Sequence, residues 1–356
     1  MAIAACGGAD TPEGTESEAS SPSAESSPAT GDGQGTAEGR AALVIAQGGL
    51  GDESYNDLAL EGFERGLEST GLEGQPVESD DIVAQGEQIL RRAADSDFGL
   101  VVDLEFTHGE ILGPIAEEYP DVQWAIANTV VEADNVTSLL FAEHEGSYLA
   151  GALAALMTST EDNEKINPEK VIGVVGGTKS TGIDKFVVGY IQGARDIDEE
   201  VEVLTSYTDD FGDPALGREQ ANAMFEQGAD IVYHVAGGTG QGVIEAAADA
   251  NRYAIGVDTD QDSLAPGNVL TSMVKRIDVA VEETMTQWAD GELTGGETLN
   301  FGLAEDGVGL TEFTHTREEI PDEYIEQIDE LRSQIESGEL EVWNVIDQGY
   351  PDFFSE

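Results

Sequence analysis

The chain has 356 residues, 40% of them apolar, with 73 Asp and Glu against 15 Lys and Arg and a formal net charge of −58. That length exceeds one ordinary core and implies two lobes, while the lack of any basic stripe excludes a nucleic-acid partner held through its phosphates. The acids are spread along the chain rather than gathered in a tail, a coat suited to molar salt, where the Debye length is about 3 Å.

The N-terminal segment comes first. Cys6 is the single cysteine, so no internal disulfide forms. Its setting, Ile3-Ala4-Ala5-Cys6-Gly7-Gly8, resembles the lipobox of a secreted lipoprotein. The residues before it are too few for a signal peptide, so the leader reads as truncated. From Ala9 to Gly39 the chain holds Ser, Glu, Thr, Pro, Gly and Ala with no large apolar residue, the composition of a tether. No stretch reaches the length of a transmembrane helix.

From Arg40 the pattern alternates strand with helix. Ala41–Gln47 is an apolar strand followed by Gly48-Gly49-Leu50-Gly51-Asp52 and a helix over Ser54–Ser69, with Ser54 and Asp57 at capping-box spacing. Further strands are expected at Leu100–Leu104, Gln123–Ala127, Val171–Val175, Val201–Thr205, Ile231–Val235 and Tyr253–Val257. Helices are expected around 84–96, 110–118, 146–156, 183–195 and 217–227. After Ile231–Ala236 come four glycines in six residues (Gly237, Gly238, Gly240, Gly242) and a helix-forming run, a turn that lets backbone approach a ligand closely. The C-terminal part, 321–356, reads as a charged helix, a Ser-Gly turn, a short strand over Leu340–Ile346 and an aromatic end. Alternation of this kind implies parallel sheets in two doubly wound lobes with a cleft between them, divided near Glu143.

Catalytic constellations are sparse. The four histidines (108, 144, 234, 315) stand apart, and His108 with Glu110 reads as an exposed loop before it reads as a site. Gly173-Val-Val-Gly-Gly-Thr-Lys179-Ser180 carries threonine where a phosphate-cradling loop needs glycine. The Gly238-x-Gly240 turn has Val243 where a dinucleotide fingerprint wants a third small residue. Neither a nucleotide triphosphatase nor an NAD enzyme fits, and no cofactor or metal site is expected.

Ordered blocks then carry a resemblance. Gly48-Gly-Leu-Gly-Asp52-Glu-Ser54-Tyr55-Asn56, Phe186-Val-Val-Gly189-Tyr190-x-x-Gly193, Ala236-Gly-Gly-Thr-Gly-x-Gly242, Ile255-Gly-Val-Asp258-x-Asp260-Gln261, Pro266 through Lys275 to Ala280, and Gly302-Leu…Gly307-Val-Gly-Leu310 follow one another between Leu43 and Leu310. The series resembles the basic-membrane-protein family of purine nucleoside receptor-like lipoproteins, here of haloarchaeal type. That resemblance implies a type I periplasmic-binding-protein fold and no enzymatic activity. It also implies a monomer, lipid-anchored at Cys6 on the outer face of the cell membrane, that gives a nucleoside to an ABC permease and its ATPase.

The same resemblance implies the site. Tyr55 and Phe186 supply flat faces from opposite lobes, Tyr55 replacing the family's phenylalanine. Asp52 and Asn56 meet base nitrogens. Asp258 accepts from ribose and Lys275, one of five lysines, donates to it beside the Gly238 amide, while Asp260 organises the loop. Near Phe106 the family's ligand-facing aspartate is replaced by Glu110. The expected lobes are 40–143 with 268–310, and 144–267 with 311–356, after a 1–39 leader and tether. A sugar or other solute, a lipid-anchored signalling receptor, and a nucleoside hydrolase using Asp258 with Asp260 are the alternative readings.

Overall fold

A computed structural model describes residues 39–161 and 163–354. Cys6 and the expected tether lie outside the described residues. The first lobe is built from β1 (Arg40–Val44), α1 (Tyr55–Thr70), β2 (Glu73–Val77), α2 (Gly86–Asp95), β3 (Leu100–Asp103), α3 (Gly109–Glu118), β4 (Gln123–Ala127) and β5 (Val136–Phe141). The second carries α4 (Glu143–Thr158), β6 (Val171–Gly176), α5 (Thr181–Ile197), β7 (Glu202–Tyr207), α6 (Pro214–Glu226), β8 (Ala229–Val235), α7 (Thr239–Ala250), β9 (Tyr253–Asp258) and β10 (Val269–Lys275). The chain returns to the first lobe for α8 (Ile277–Asp290) and β11 (Thr298–Phe301), then ends in the second with β12 (Val308–Leu310), α9 (Asp322–Glu336) and α10 (Val345–Gln348).

Each lobe holds one six-stranded sheet, in the orders β11-β5-β4-β3-β1-β2 and β12-β10-β9-β8-β6-β7. Every pairing is parallel except β10 with β12. Central strands such as β3, β6, β8 and β9 are buried along their whole length. Helices cover both faces of these sheets, which is why the strands read as unbroken apolar runs. With three interlobe crossings, at Ala142, Arg276 and 302–307, this is the type I periplasmic-binding-protein architecture.

The expected lobe division is corrected at its second boundary. Residues 268–310 do not stay together: β10 and β12 belong to the second sheet, while α8 and β11 belong to the first. The reason is pairing. Val269–Lys275 extends the apolar ladder of β9, and α8 then packs on α1. The expected strand at 340–346 is absent; that segment leads into α10, and Trp343 N donates to Gln192 Oε1 at 2.7 Å. Edge strand β2, with Pro76 and little burial, carries no apolar signal and was not anticipated.

Helix α5 is placed by close contact with α4. A Cβ on Gly193 would lie 2.0 Å from the Tyr148 carbonyl oxygen, and one on Gly151 would lie 2.0 Å from that of Tyr190. These two glycines let the backbones touch, and so fix where the first turns of α5 face the cleft.

Candidate ligand site in the interlobe cleft

The strand ends converge. Residues just after β1, β3, β4 and β8, and the last residues of β9 and β10, line one cavity between the lobes, where open α/β sheets place ligands. The empty space among its lining residues, open mouth included, is about 720 Å³. Its walls include Tyr55 and Phe106 from the first lobe and Phe186 and Phe211 from the second.

The loop before α1 is held from within. The Asp52 carboxylate accepts from the backbone N–H groups of Ser54, Asn56 and Asp57 at 3.0, 2.9 and 3.1 Å. Asp57 accepts in turn from Gly51 and Glu53 at 2.8 and 2.9 Å. Asp52 therefore caps the helix in place of the expected Ser54, since the Ser54 hydroxyl reaches across the cleft to donate to Asp258 Oδ2 at 2.7 Å. Gln241 Nε2 donates to Asp52 O at 3.1 Å and Gln261 Nε2 to Glu53 O at 3.0 Å, so the second lobe grips all three residues 52–54.

A buried ionic network lies at the hinge. Glu143, 1% exposed, opens α4; its Oε1 accepts from Lys275 Nζ at 2.8 Å and its Oε2 lies 2.5 Å from Lys185 Nζ. Burial alone would raise its pKa, but the two ammonium groups outweigh that and hold it at about 2. Lys275 also donates to Asn128 Oδ1 at 2.6 Å and sits 5.0, 4.9 and 5.7 Å from the ring centres of Tyr55, Phe141 and Phe186. These rings attract the cation through their faces. Tyr55 Oη donates to Leu104 O and accepts from Asn128 Nδ2 at 2.9 Å. Asp258 differs from Glu143: burial pushes its carboxyl up to about 6 against the opposing pull of Lys275 and Ser54. Its backbone is left-handed, with φ of 69°, a conformation that aspartate tolerates better than most residues.

The structure brings Asp52, Tyr55, Asn56, Phe106, Phe186, Asp258 and Lys275 together on the cavity wall. Within that set Asn56 is committed, accepting from Ala46 N and donating to Gln47 O, so it shapes the first loop. Glu110 is not part of the wall. The 3-10 turn Phe106–His108 carries the chain away, and Glu110 is exposed in the first turn of α3. His108 is 1% exposed, correcting the exposed-loop reading, and is held between Asp103 Oδ2 at 2.8 Å and Ile82 O at 3.0 Å. Gly238 also stands off the wall: Gly237 lines it, while Gly238 packs behind Asp52. Sequence reading missed Gln47, Glu105, Asn128, Glu143 and Phe211. Asn128 directly follows β4, so inspecting every strand end would have found it; Glu143 and Phe211 carry no such signal.

Among the described residues no group of His, Cys, Asp and Glu is arranged to hold a metal ion, and no helix is long and apolar enough to cross a membrane.

A family model described as "ABC transporter substrate-binding protein PnrA-like" matches residues 40–344. Proteins of that description bind a small molecule for a permease and its ATPase and are not enzymes. The "CD4+ T-cell-stimulating antigen" of Listeria monocytogenes is 30% identical over 85% of this chain and 87% of its own length. The "ABC transporter nucleoside-binding protein BmpA" of Lactococcus lactis is 30% identical over 76% of this chain and 81% of its own. Among solved structures, an ABC transporter solute-binding protein from Aeropyrum pernix K1 superposes with a TM-score of 0.77 at 29% identity, covering 85% of this chain and 93% of that one. The chain belongs to the PnrA-like family of ABC transporter substrate-binding proteins.

Proposed function

We propose that this protein binds a nucleoside, with a purine the best fit, between its two lobes and delivers it to an ABC permease from the outer face of the membrane. The observation that carries the reading is the composition of one cavity. Aromatic rings from opposite lobes, Tyr55 and Phe186, stand beside a carboxylate, Asp258, and an ammonium, Lys275. A nucleoside presents a flat apolar base, which suits the rings, and vicinal hydroxyls, which suit a carboxylate acceptor and a charged donor. The name of the Lactococcus relative, a nucleoside-binding protein, points the same way.

Binding stabilises the closed form through contacts made to both lobes at once. Residues 52–54 would act as the clasp, since they already touch the second lobe. Anchoring through a lipid on Cys6, with 9–39 as tether, keeps the loaded protein beside its permease, and the binding unit acts as a monomer. Calorimetry in molar salt with adenosine, guanosine, inosine, cytidine, free bases and ribose tests the ligand class. Saturable heat with a purine nucleoside and none with ribose is expected. Heat with sugars alone would replace the nucleoside with a sugar and leave the transport role standing.

A further inference from the structure

We propose that Gln47, oriented by Glu105, reads the hydrogen-bonding edge of the bound base; this rests on the nucleoside reading above. Glu105 is fully buried at the end of β3. Its Oε1 accepts from Thr107 N at 3.1 Å, Thr107 Oγ1 at 2.7 Å and Gln47 Nε2 at 3.2 Å. Its Oε2 accepts from Gln47 N at 3.0 Å and again from Gln47 Nε2 at 3.3 Å. Two carboxylate oxygens surrounded by this many donors have little capacity left for a ligand. Glu105 lines the cavity, yet its chemistry is spent on Gln47 and Thr107.

That expenditure fixes the amide. A carboxylate accepts and does not donate, so the Gln47 side chain must turn its NH2 toward Glu105 and its carbonyl Oε1 away. Gln47 O is also held, by Asn56 Nδ2 at 3.2 Å, which ties the backbone at the same point. No group among the described residues donates to Gln47 Oε1. The residue is half-buried and lines both the cavity and a second, more open pocket that shares Ala46 and Phe211 with it, whereas Glu143, Asp258 and Lys275 line the first cavity alone. The carboxylate and ammonium suited to ribose hydroxyls thus lie away from that second pocket and the Gln47 amide lies beside it, with aromatic rings of both lobes on the same cavity wall. A base directed toward it meets a carbonyl acceptor of fixed sense, which takes an N–H of the base edge as side-chain amides do. Glu105 acts as a positioning residue and Gln47 as the specificity-determining one.

The test is calorimetry in molar salt on the wild type, Gln47→Met and Glu105→Gln, each confirmed as folded by its melting transition. The probes are adenosine, inosine and purine riboside, which lacks the six-position substituent and any N–H on that edge. In the wild type the better of adenosine and inosine should exceed purine riboside by on the order of ten-fold, one lost neutral hydrogen bond. In Gln47→Met that advantage should fall to about two-fold or less, with the purine riboside affinity kept. Glu105→Gln should reduce the advantage at unchanged purine riboside affinity, an effect that general loosening of the fold does not produce. An advantage that survives Gln47→Met, or one absent from the wild type, overturns the assignment alone. A wild type silent to all three nucleosides removes the nucleoside reading and this inference with it.

Discussion

Replacing Glu143 by glutamine perturbs the hinge with almost no change of shape. Glu143 lies 2.8 Å from Lys275 Nζ and 2.5 Å from Lys185 Nζ, with the side chains of all three almost completely buried. The fall of its pKa from 4.5 to about 2 corresponds to about 3 kcal/mol of preference for the carboxylate in the folded state. Removing one member of a buried ion pair costs roughly 3–5 kcal/mol in general, because the partner is left buried and uncompensated. The two estimates meet at about 3 kcal/mol, a fall in melting temperature of roughly 6–12 °C, nearer the lower figure for a long chain. The pH dependence has a definite sign. A depressed carboxylate pKa gives stability that is complete above 4.5 and lost as pH falls through about 2, so the gap between wild type and Glu143→Gln should close over that window. Adding Lys275→Met removes an orphaned ammonium and should restore part of the loss. Guanidinium unfolding in molar salt at pH 7 supplies the measurement. A single variant within 0.5 kcal/mol of wild type, or a double variant worse than the sum of its parts, would show that the network does not hold the hinge as described.

Three further outcomes follow from particular residues. Asp258, with its carboxyl near 6, goes from about 90% ionised at pH 7 to about 10% at pH 5. Ligand affinity measured by titration should therefore weaken on the order of ten-fold across that range, and a flat profile would remove Asp258 as the hydroxyl acceptor. For the free protein the sign reverses, since a raised folded pKa favours the folded state as pH falls from about 6 toward 3.8. Gly193→Ala forces a Cβ to within 2.0 Å of the Tyr148 carbonyl; a cost of about 1–3 kcal/mol is expected, together with weaker ligand binding because Phe186 rides on the same helix. Unchanged melting and affinity would mean that the α4–α5 contact does not position the site. Finally, net charge −58 predicts loss of helical circular dichroism on dialysis from molar to millimolar salt, where the Debye length grows to about 30 Å or more; a spectrum indifferent to salt would sink the halophilic reading.

Much of the fold was legible because its central strands are apolar on both faces. Gln123–Ala127 emerges with its expected bounds, and Tyr253–Val257 needs only Asp258 added. What escaped lacks that signature. β2 is an edge strand with a proline, and β5 hides Thr137 and Ser138, buried polar residues that bond Thr294 O and Val131 N. The lobe division at 268 was misplaced because β10 reads as apolar in either sheet, and only its pairing with β9 decides. Within the site, strand-end residues such as Asp258 and Lys275 could be reached from sequence. Glu110 could not be placed, since the 3-10 turn that directs it to solvent depends on Glu105 capping Thr107 and on His108 reaching Asp103 and Ile82. Commitment of a side chain is equally invisible: Asn56 stands at a motif position yet spends both polar groups on backbone. The glycine turn after β8 shows the same limit, for Gly237 borders the cavity whereas Gly238 serves the approach of Asp52 from the other lobe.

The central claim is most directly tested by a crystal structure of the protein grown in molar salt with the nucleoside that binds most tightly in calorimetry. The account predicts the base between Tyr55 and Phe186, the ribose hydroxyls on Asp258 and Lys275, and the lobes joined through residues 52–54. A ligand bound outside the interlobe cavity, or within it with its hydroxyls away from Asp258 and Lys275, would contradict it.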